Sequence, residues 1–109
     1  MSKYFKEIDD GNMNKEFLLR LDEARERAGI PFVINSAYRS PEHNAKIGGK
    51  PNSSHLKGLA VDISVTNSRQ RFIVLNALLE VGFTRIGIAD TFLHVDLDSE
   101  KSKDVIWTY

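Results

Sequence analysis

Cysteine is absent from all 109 residues. Its absence excludes disulfides, thiolate metal sites and cysteine nucleophiles together, so any metal must rest on nitrogen and oxygen donors. A surplus of either charge is also missing, because fifteen Lys and Arg balance fifteen Asp and Glu. Without a basic excess there is no electrostatic case for nucleic acid or an anionic membrane as partner. No apolar run approaches the roughly 20 residues that cross a bilayer. The start, Met1 through Glu7, lacks the apolar centre of a secretory signal. The chain is therefore expected to be cytoplasmic as synthesised, unless a separate apparatus releases it. What is present, 41% hydrophobic and 28% charged residues, suits a folded globular chain. The length fits one domain, residues 1–109, with one modest core, and a monomer is expected.

The element order follows from periodicity and punctuation. Residues 1 to 13 are polar, with a turn at Asp9-Asp10-Gly11-Asn12. Asn14 is a helix cap; Phe17, Leu18, Leu21, Ala24 and Ala28 then recur at helical spacing until Gly29. Phe32 to Asn35 reads as a short strand. Ser40-Pro41 opens a short helix to about Ile47, a capping hydroxyl followed by proline at the first helical position. A Gly-, Pro- and Ser-rich linker, residues 48–53, delivers the chain to a strand over Leu59 to Ser64. Thr66-Asn67-Ser68 caps a second long helix, whose Phe72, Leu75, Leu78 and Leu79 are expected to face the core before Gly82. Thr84–Ile88 and Phe92–Leu97 form an antiparallel hairpin around Ala89-Asp90-Thr91. The apolar tail Val105 to Tyr109 closes the sheet or covers the core. The fold class is α+β, a small antiparallel sheet covered by helices.

Chemistry concentrates in two of these elements. In the strand after Gly58, Leu59, Val61 and Ile63 point one way and Asp62 the other. His55 reaches the same place if the chain turns back at Gly58, a residue free to take backbone angles closed to others. In Phe92 to Asp98 the alternation leaves His94, Asp96 and Asp98 on the polar side. Two imidazoles and a carboxylate from a sheet face make a ligand set for a divalent metal. Three protein ligands leave a position open, as catalytic zinc sites do. The same set also describes a non-haem iron triad. Asp96 can ligate, orient an imidazole, or sit in solvent. His43, on the short helix, reads as an exposed polar residue.

Ser36-Ala37-Tyr38-Arg39-Ser40, the run Ser53-Ser54-His55-Leu56-Lys57-Gly58-Leu59-Ala60-Val61-Asp62, and Phe92-Leu93-His94-Val95-Asp96 together carry a resemblance. They look like the zinc D-alanyl-D-alanine carboxypeptidases and the related cell-wall endopeptidases of phage lysins. The shared pattern is Ser-x-His-x-x-Gly-x-Ala-x-Asp followed by a later His-x-Asp, and every fixed position is matched. The resemblance spans about residues 32 to 97. It implies the fold shared with hedgehog signalling domains and a Zn2+ ion held by His55, Asp62 and His94. It also implies that Arg39 pairs with a substrate carboxylate, with Ser53 supporting it near the metal. Many members place an acid three positions before the last histidine, as general base; here Thr91 stands there. The nearest acid is Asp90 in the hairpin turn, and the general-base role is expected of it.

The resulting expectation is a zinc metallopeptidase that hydrolyses peptide bonds in peptidoglycan stem peptides, as a DD-carboxypeptidase or endopeptidase. A holin or export apparatus would bring it to the cell wall. The alternative, prompted by Thr91, is a catalytically weak or inactive peptidoglycan-peptide binding module that keeps the fold, with or without the metal.

Overall fold

A computed structural model describes residues 1–109. The helices are α1 (Lys15–Ala28), α2 (Pro41–Lys46) and α3 (Ser68–Glu80); the strands are β1 (Ile34–Ser36), β2 (Ala60–Ser64), β3 (Arg85–Ile88), β4 (Phe92–Asp96) and β5 (Val105–Thr108). Local chemistry fixes the helix ends. The Asn14 side chain accepts the Phe17 N–H at 2.9 Å, and Gly29 ends α1 in the left-handed region at φ 70°. Asn67 caps α3 by accepting from the Gln70 N–H at 2.8 Å, and Ser40 caps α2 with Pro41 behind it.

The strands form one sheet in the order β1-β2-β4-β3-β5. The first three pairings are antiparallel, as expected from the hairpin. The tail, however, adds β5 parallel to β3, so the sheet is mixed rather than wholly antiparallel. The reason is topological: β4 already occupies the antiparallel side of β3, and a strand arriving at the free edge after the 97–104 loop runs alongside it.

Alternation divides the sheet into two faces. Val61, Ile63, Ile86, Leu93 and Val95 are fully buried and join Phe17, Leu18 and Leu21 of α1 and Val74, Ala77 and Leu78 of α3 in one core. Phe17 meets Phe83 edge-on at 5.6 Å, linking α1 to the segment after α3. The expectation for α3 needs correction. Phe72 is 70% exposed and Leu79 45%, because the buried stripe runs through Val74, Ala77 and Leu78. Residues two apart on a helix do not share a face, so a stripe through Val74 turns Phe72 outward, and Leu79, seven further on, follows it.

The first thirteen residues are also more than a polar lead. Asp22, buried on α1, accepts from Ser2 Oγ at 2.8 Å, the Lys3 N–H at 2.9 Å and the Tyr4 N–H at 3.0 Å. This clamp seats Phe5 and, further along, Met13 in the core.

Gly58 is where fold and site meet. It takes φ 68°, and a Cβ there would lie 2.1 Å from the Asn12 carbonyl oxygen. The Asn14 N–H donates to the Gly58 carbonyl at 2.9 Å, so the N-terminal segment lies directly against the turn. Gly58→Ala combines left-handed strain with a backbone collision, worth about 3 kcal/mol together. A thermal melt should show a fall of roughly 10 °C or more; an unchanged midpoint would mean that the turn is not constrained as described.

Candidate metal centre

The site is built on a single rung across the sheet. Asp62 of β2 pairs with His94 of β4, His94 with Gly87 of β3, and Gly87 with Trp107 of β5. Matching register puts these side chains on one face, opposite the core. His55 comes from a 3-10 turn, Ser54–Lys57, capped by Ser53, whose hydroxyl accepts the His55 N–H at 3.2 Å. The left-handed Gly58 then reverses the chain into β2. His55, Asp62 and His94 can each offer one ligand atom, and the three atoms lie within 4.8 Å of one another.

The outer nitrogens decide how the inner ones behave. His55 Nδ1 lies 2.7 Å from the Ala37 carbonyl oxygen, which can only accept, so Nδ1 carries the hydrogen. His94 Nε2 lies 2.7 Å from Asp96 Oδ2 and donates to it. In the neutral rings this leaves His55 Nε2 and His94 Nδ1 as lone pairs. Both face the same oxygen, Asp62 Oδ1, at 3.3 and 3.0 Å. Two lone pairs aimed at a carboxylate repel unless a proton or a metal cation sits among them. The donor set fits a divalent ion with N2O ligation, and its outer contacts are those that orient metal-binding imidazoles.

The electrostatics agree with this arrangement. Burial alone would raise the Asp62 pKa, but hydrogen bonds from His55 and His94 outweigh it and hold the carboxyl well below its ordinary range. Burial would likewise lower His94, yet Asp62 and Asp96 on either side leave it raised. Asp96 is almost wholly buried and both of its oxygens are engaged: Oδ2 by His94, Oδ1 by Arg85 Nε at 2.8 Å and by the Asp98 N–H at 3.1 Å. It orients His94, one of the three roles open to it in the sequence. Asp98 accepts from Ser54 Oγ at 2.7 Å and from Lys57 Nζ at 3.0 Å, tying the turn that carries His55 to the strand that carries His94.

These residues line a groove of about 490 Å3. Arg39 and Ser53 line it too. The Arg39 guanidinium donates to Ser36 Oγ at 3.1 Å and to Asn44 Oδ1 at 3.3 Å, with Nη2 3.6 Å from Asp62 Oδ2. Asp90 is not brought in. It is exposed in the β3–β4 turn, whose backbone is held by Arg71 donating to the Asp90 carbonyl at 3.0 Å, and it does not line the groove. Thr91 and His43 are exposed as well. Sequence reasoning missed the far wall, Trp107, Tyr109 and Phe92. The Trp107 ring stands 5.5 Å from the His94 ring under the Arg85 guanidinium, and Phe92 meets Tyr109 at 5.4 Å. The one available signal was a lone tryptophan in an apolar tail.

Comparison with known proteins adds one match. The family model described as Peptidase M15 covers residues 2–98. A search among curated proteins finds no match.

Two measurements follow from the geometry. The raised pKa of His94 contributes stability to the metal-free protein that is fully present below about 6.5 and is lost as pH rises through the raised folded value. The lowered pKa of Asp62 contributes stability above its ordinary value, lost on acidification. In chelator, the melting temperature should therefore fall as the pH is raised from 6 through neutrality. Saturating divalent metal should remove that slope, since the cation replaces the proton; a chelated protein with a flat profile would contradict the reading of His94. Separately, a Cβ on Gly87 would stand 2.6 Å from Trp107 Nε1 and 2.8 Å from a Tyr109 ring carbon. Gly87→Ala should shift the emission of this single tryptophan and lower stability by about 1–3 kcal/mol.

Proposed function

Because the chain belongs to the Peptidase M15 family, we propose that it is a zinc-dependent metallopeptidase hydrolysing peptide bonds in peptidoglycan stem peptides, as a DD-carboxypeptidase or an endopeptidase. The observation that carries this reading is the convergence of two imidazole lone pairs on the Asp62 carboxylate. Zinc suits the donors: nitrogen and oxygen ligands, no thiolate, and three protein atoms with a position left for solvent or substrate. When bound, the ion supplies Lewis-acid polarisation of a carbonyl oxygen and lowers the pKa of a water to about 7.

The chain's own residues do the rest. His55 and His94 present fixed tautomers, because Ala37 and Asp96 hold their outer N–H groups. Arg85 keeps Asp96 charged and in place. Arg39 is 16% exposed through its side chain and has N–H groups beyond the two given to Ser36 and Asn44. A planar fork so held can pair with a substrate carboxylate beside the metal position. Ser53 acts through His55, whose turn it caps. Trp107 and the Phe92–Tyr109 pair bound the opposite side with aromatic surface.

A second reading has an observation of its own. The two carboxylates that line the groove, Asp62 and Asp96, are both engaged, and Asp90 lies outside it. A chain without a free proton acceptor would bind the peptide and the metal without cleaving, as a binding module does.

Zinc content and digestion of purified peptidoglycan, with products read by mass spectrometry, separate the two. The peptidase reading expects about one zinc per chain and released peptides or D-alanine, both abolished in His55→Ala. Asp96→Asn should weaken zinc binding about 10- to 100-fold, the range for losing a partner that orients a ligand. Bound peptide with intact substrate would select the binding module, with or without zinc; no zinc in the wild type would overturn the peptidase reading.

A further inference from the structure

The groove is cationic in a protein whose charges balance overall. Arg39, Lys50, Arg85 and Lys101 line it against Asp62 and Asp96. Three of the four cations already have partners. Arg39 stands against Asp62 and is hydrogen-bonded by Ser36 and Asn44. Arg85 is paired with Asp96 at 2.8 Å. Lys101 donates to Ser54 Oγ at 3.0 Å and lies 3.7 Å from Asp98. Lys50 has no carboxylate within ion-pair distance and no hydrogen bond from its ammonium.

The backbone beneath Lys50 is nonetheless fixed. Asn44 is 3% exposed, and its Nδ2 donates to the Lys50 carbonyl at 2.9 Å. The same amide accepts from Arg39 Nη1 through Oδ1, so one buried side chain spaces the two cations on this wall. Gly49 is pressed against that amide: a Cβ there would lie 2.0 Å from Asn44 Oδ1. The Ser53 N–H closes the loop onto the Lys50 carbonyl at 3.0 Å. The loop is thus held while the Lys50 head stays unpaired.

We propose that Lys50 is a specificity-determining residue that binds a free carboxylate of the peptide substrate, next to the contact made by Arg39. The inference rests on the peptidase reading for the identity of the substrate. An ammonium on a four-carbon stem is a mobile point charge, so it selects a charge rather than a planar geometry. It gives the groove a preference for peptides with an unblocked acid, at the chain end or on a side chain.

The test compares wild type, Lys50→Gln and Lys50→Arg on a stem pentapeptide, L-alanyl-γ-D-glutamyl-L-lysyl-D-alanyl-D-alanine. Two blocked forms, one amidated at the C-terminus and one on the glutamyl carboxyl, complete the set. K50Q should raise KM for the free acid about fivefold, the scale of an exposed ion pair, with the loss in KM rather than kcat. K50R should restore it. The gap between wild type and K50Q should narrow with added salt. It should vanish for one of the amides, and which one identifies the carboxylate that is held. Equal KM values in wild type and K50Q, or a gap that survives both amides, would overturn the proposal. Failure of the peptidase reading shows itself differently, as zinc-loaded wild type that cleaves none of the three peptides. Calorimetry on zinc-free protein then decides: tighter binding of the acid by wild type than by K50Q sustains the role of Lys50, and equal binding rejects it.

Discussion

Everything on the polar face of the sheet answers to the placement of the Asp62 carboxylate between two imidazoles. A carboxylate removed from water needs charge or hydrogen bonds in return, and Asp62 is 9% exposed. The imidazoles can serve it as donors only when protonated on their inner nitrogens, because their outer N–H groups are committed to Ala37 and Asp96. A proton on His94, which Asp62 and Asp96 favour, meets that need in part, whereas a cation would satisfy all three groups at once. Ligand binding of that kind stabilises the folded chain as well as preparing it for chemistry.

The fold supplies this centre by making β2 and β4 neighbours and by giving their alternation opposite tasks on the two faces. One face is apolar and sealed by α1 and α3. On the other, register rather than proximity in sequence puts Asp62 beside His94, thirty-two residues apart. His55 cannot come from the sheet, since the rung is already filled, so it is brought over the top by the Gly58 turn. Asp98 then prevents that turn from drifting: its carboxylate, 2% exposed, holds both Ser54 and Lys57. A metal centre needs its ligands held to within fractions of an ångström, and here both imidazoles are anchored from behind, His55 by the Ala37 carbonyl and His94 by Asp96.

The grouping of His55, Asp62 and His94 was legible in the sequence because period-two alternation and a glycine turn are local signals. Asp62 and His94 each declare their face within five residues, and Gly58 declares the reversal between His55 and Asp62. Capping was legible for the same reason at Asn14, Ser40 and Asn67. What depends on long-range pairing was not. The parallel docking of β5, and with it the place of Trp107 beside His94, follows from which sheet edge remained free. The outward turn of Phe72 depended on which of two overlapping apolar stripes of α3 met the sheet, and both satisfy helical spacing. Asp90 lay near His94 in sequence, but a hairpin turn places its own side chains in solvent while the strand carries His94 into the groove.

The groove is consequently a composite. The His55–Asp62–His94 group and the cationic wall, Arg39 and Lys50, lie within the part of the chain that matches the family; Lys101, Trp107 and Tyr109 lie beyond residue 98. The two parts meet at Gly87, whose missing side chain is what lets the Trp107 ring lean across the rung to His94. Changes in the tail can therefore reshape the aromatic wall without touching a ligand, whereas a side chain at Gly87 would disturb wall and ligand together. The two walls face each other across the His55–Asp62–His94 group, one carrying cations and the other aromatic rings.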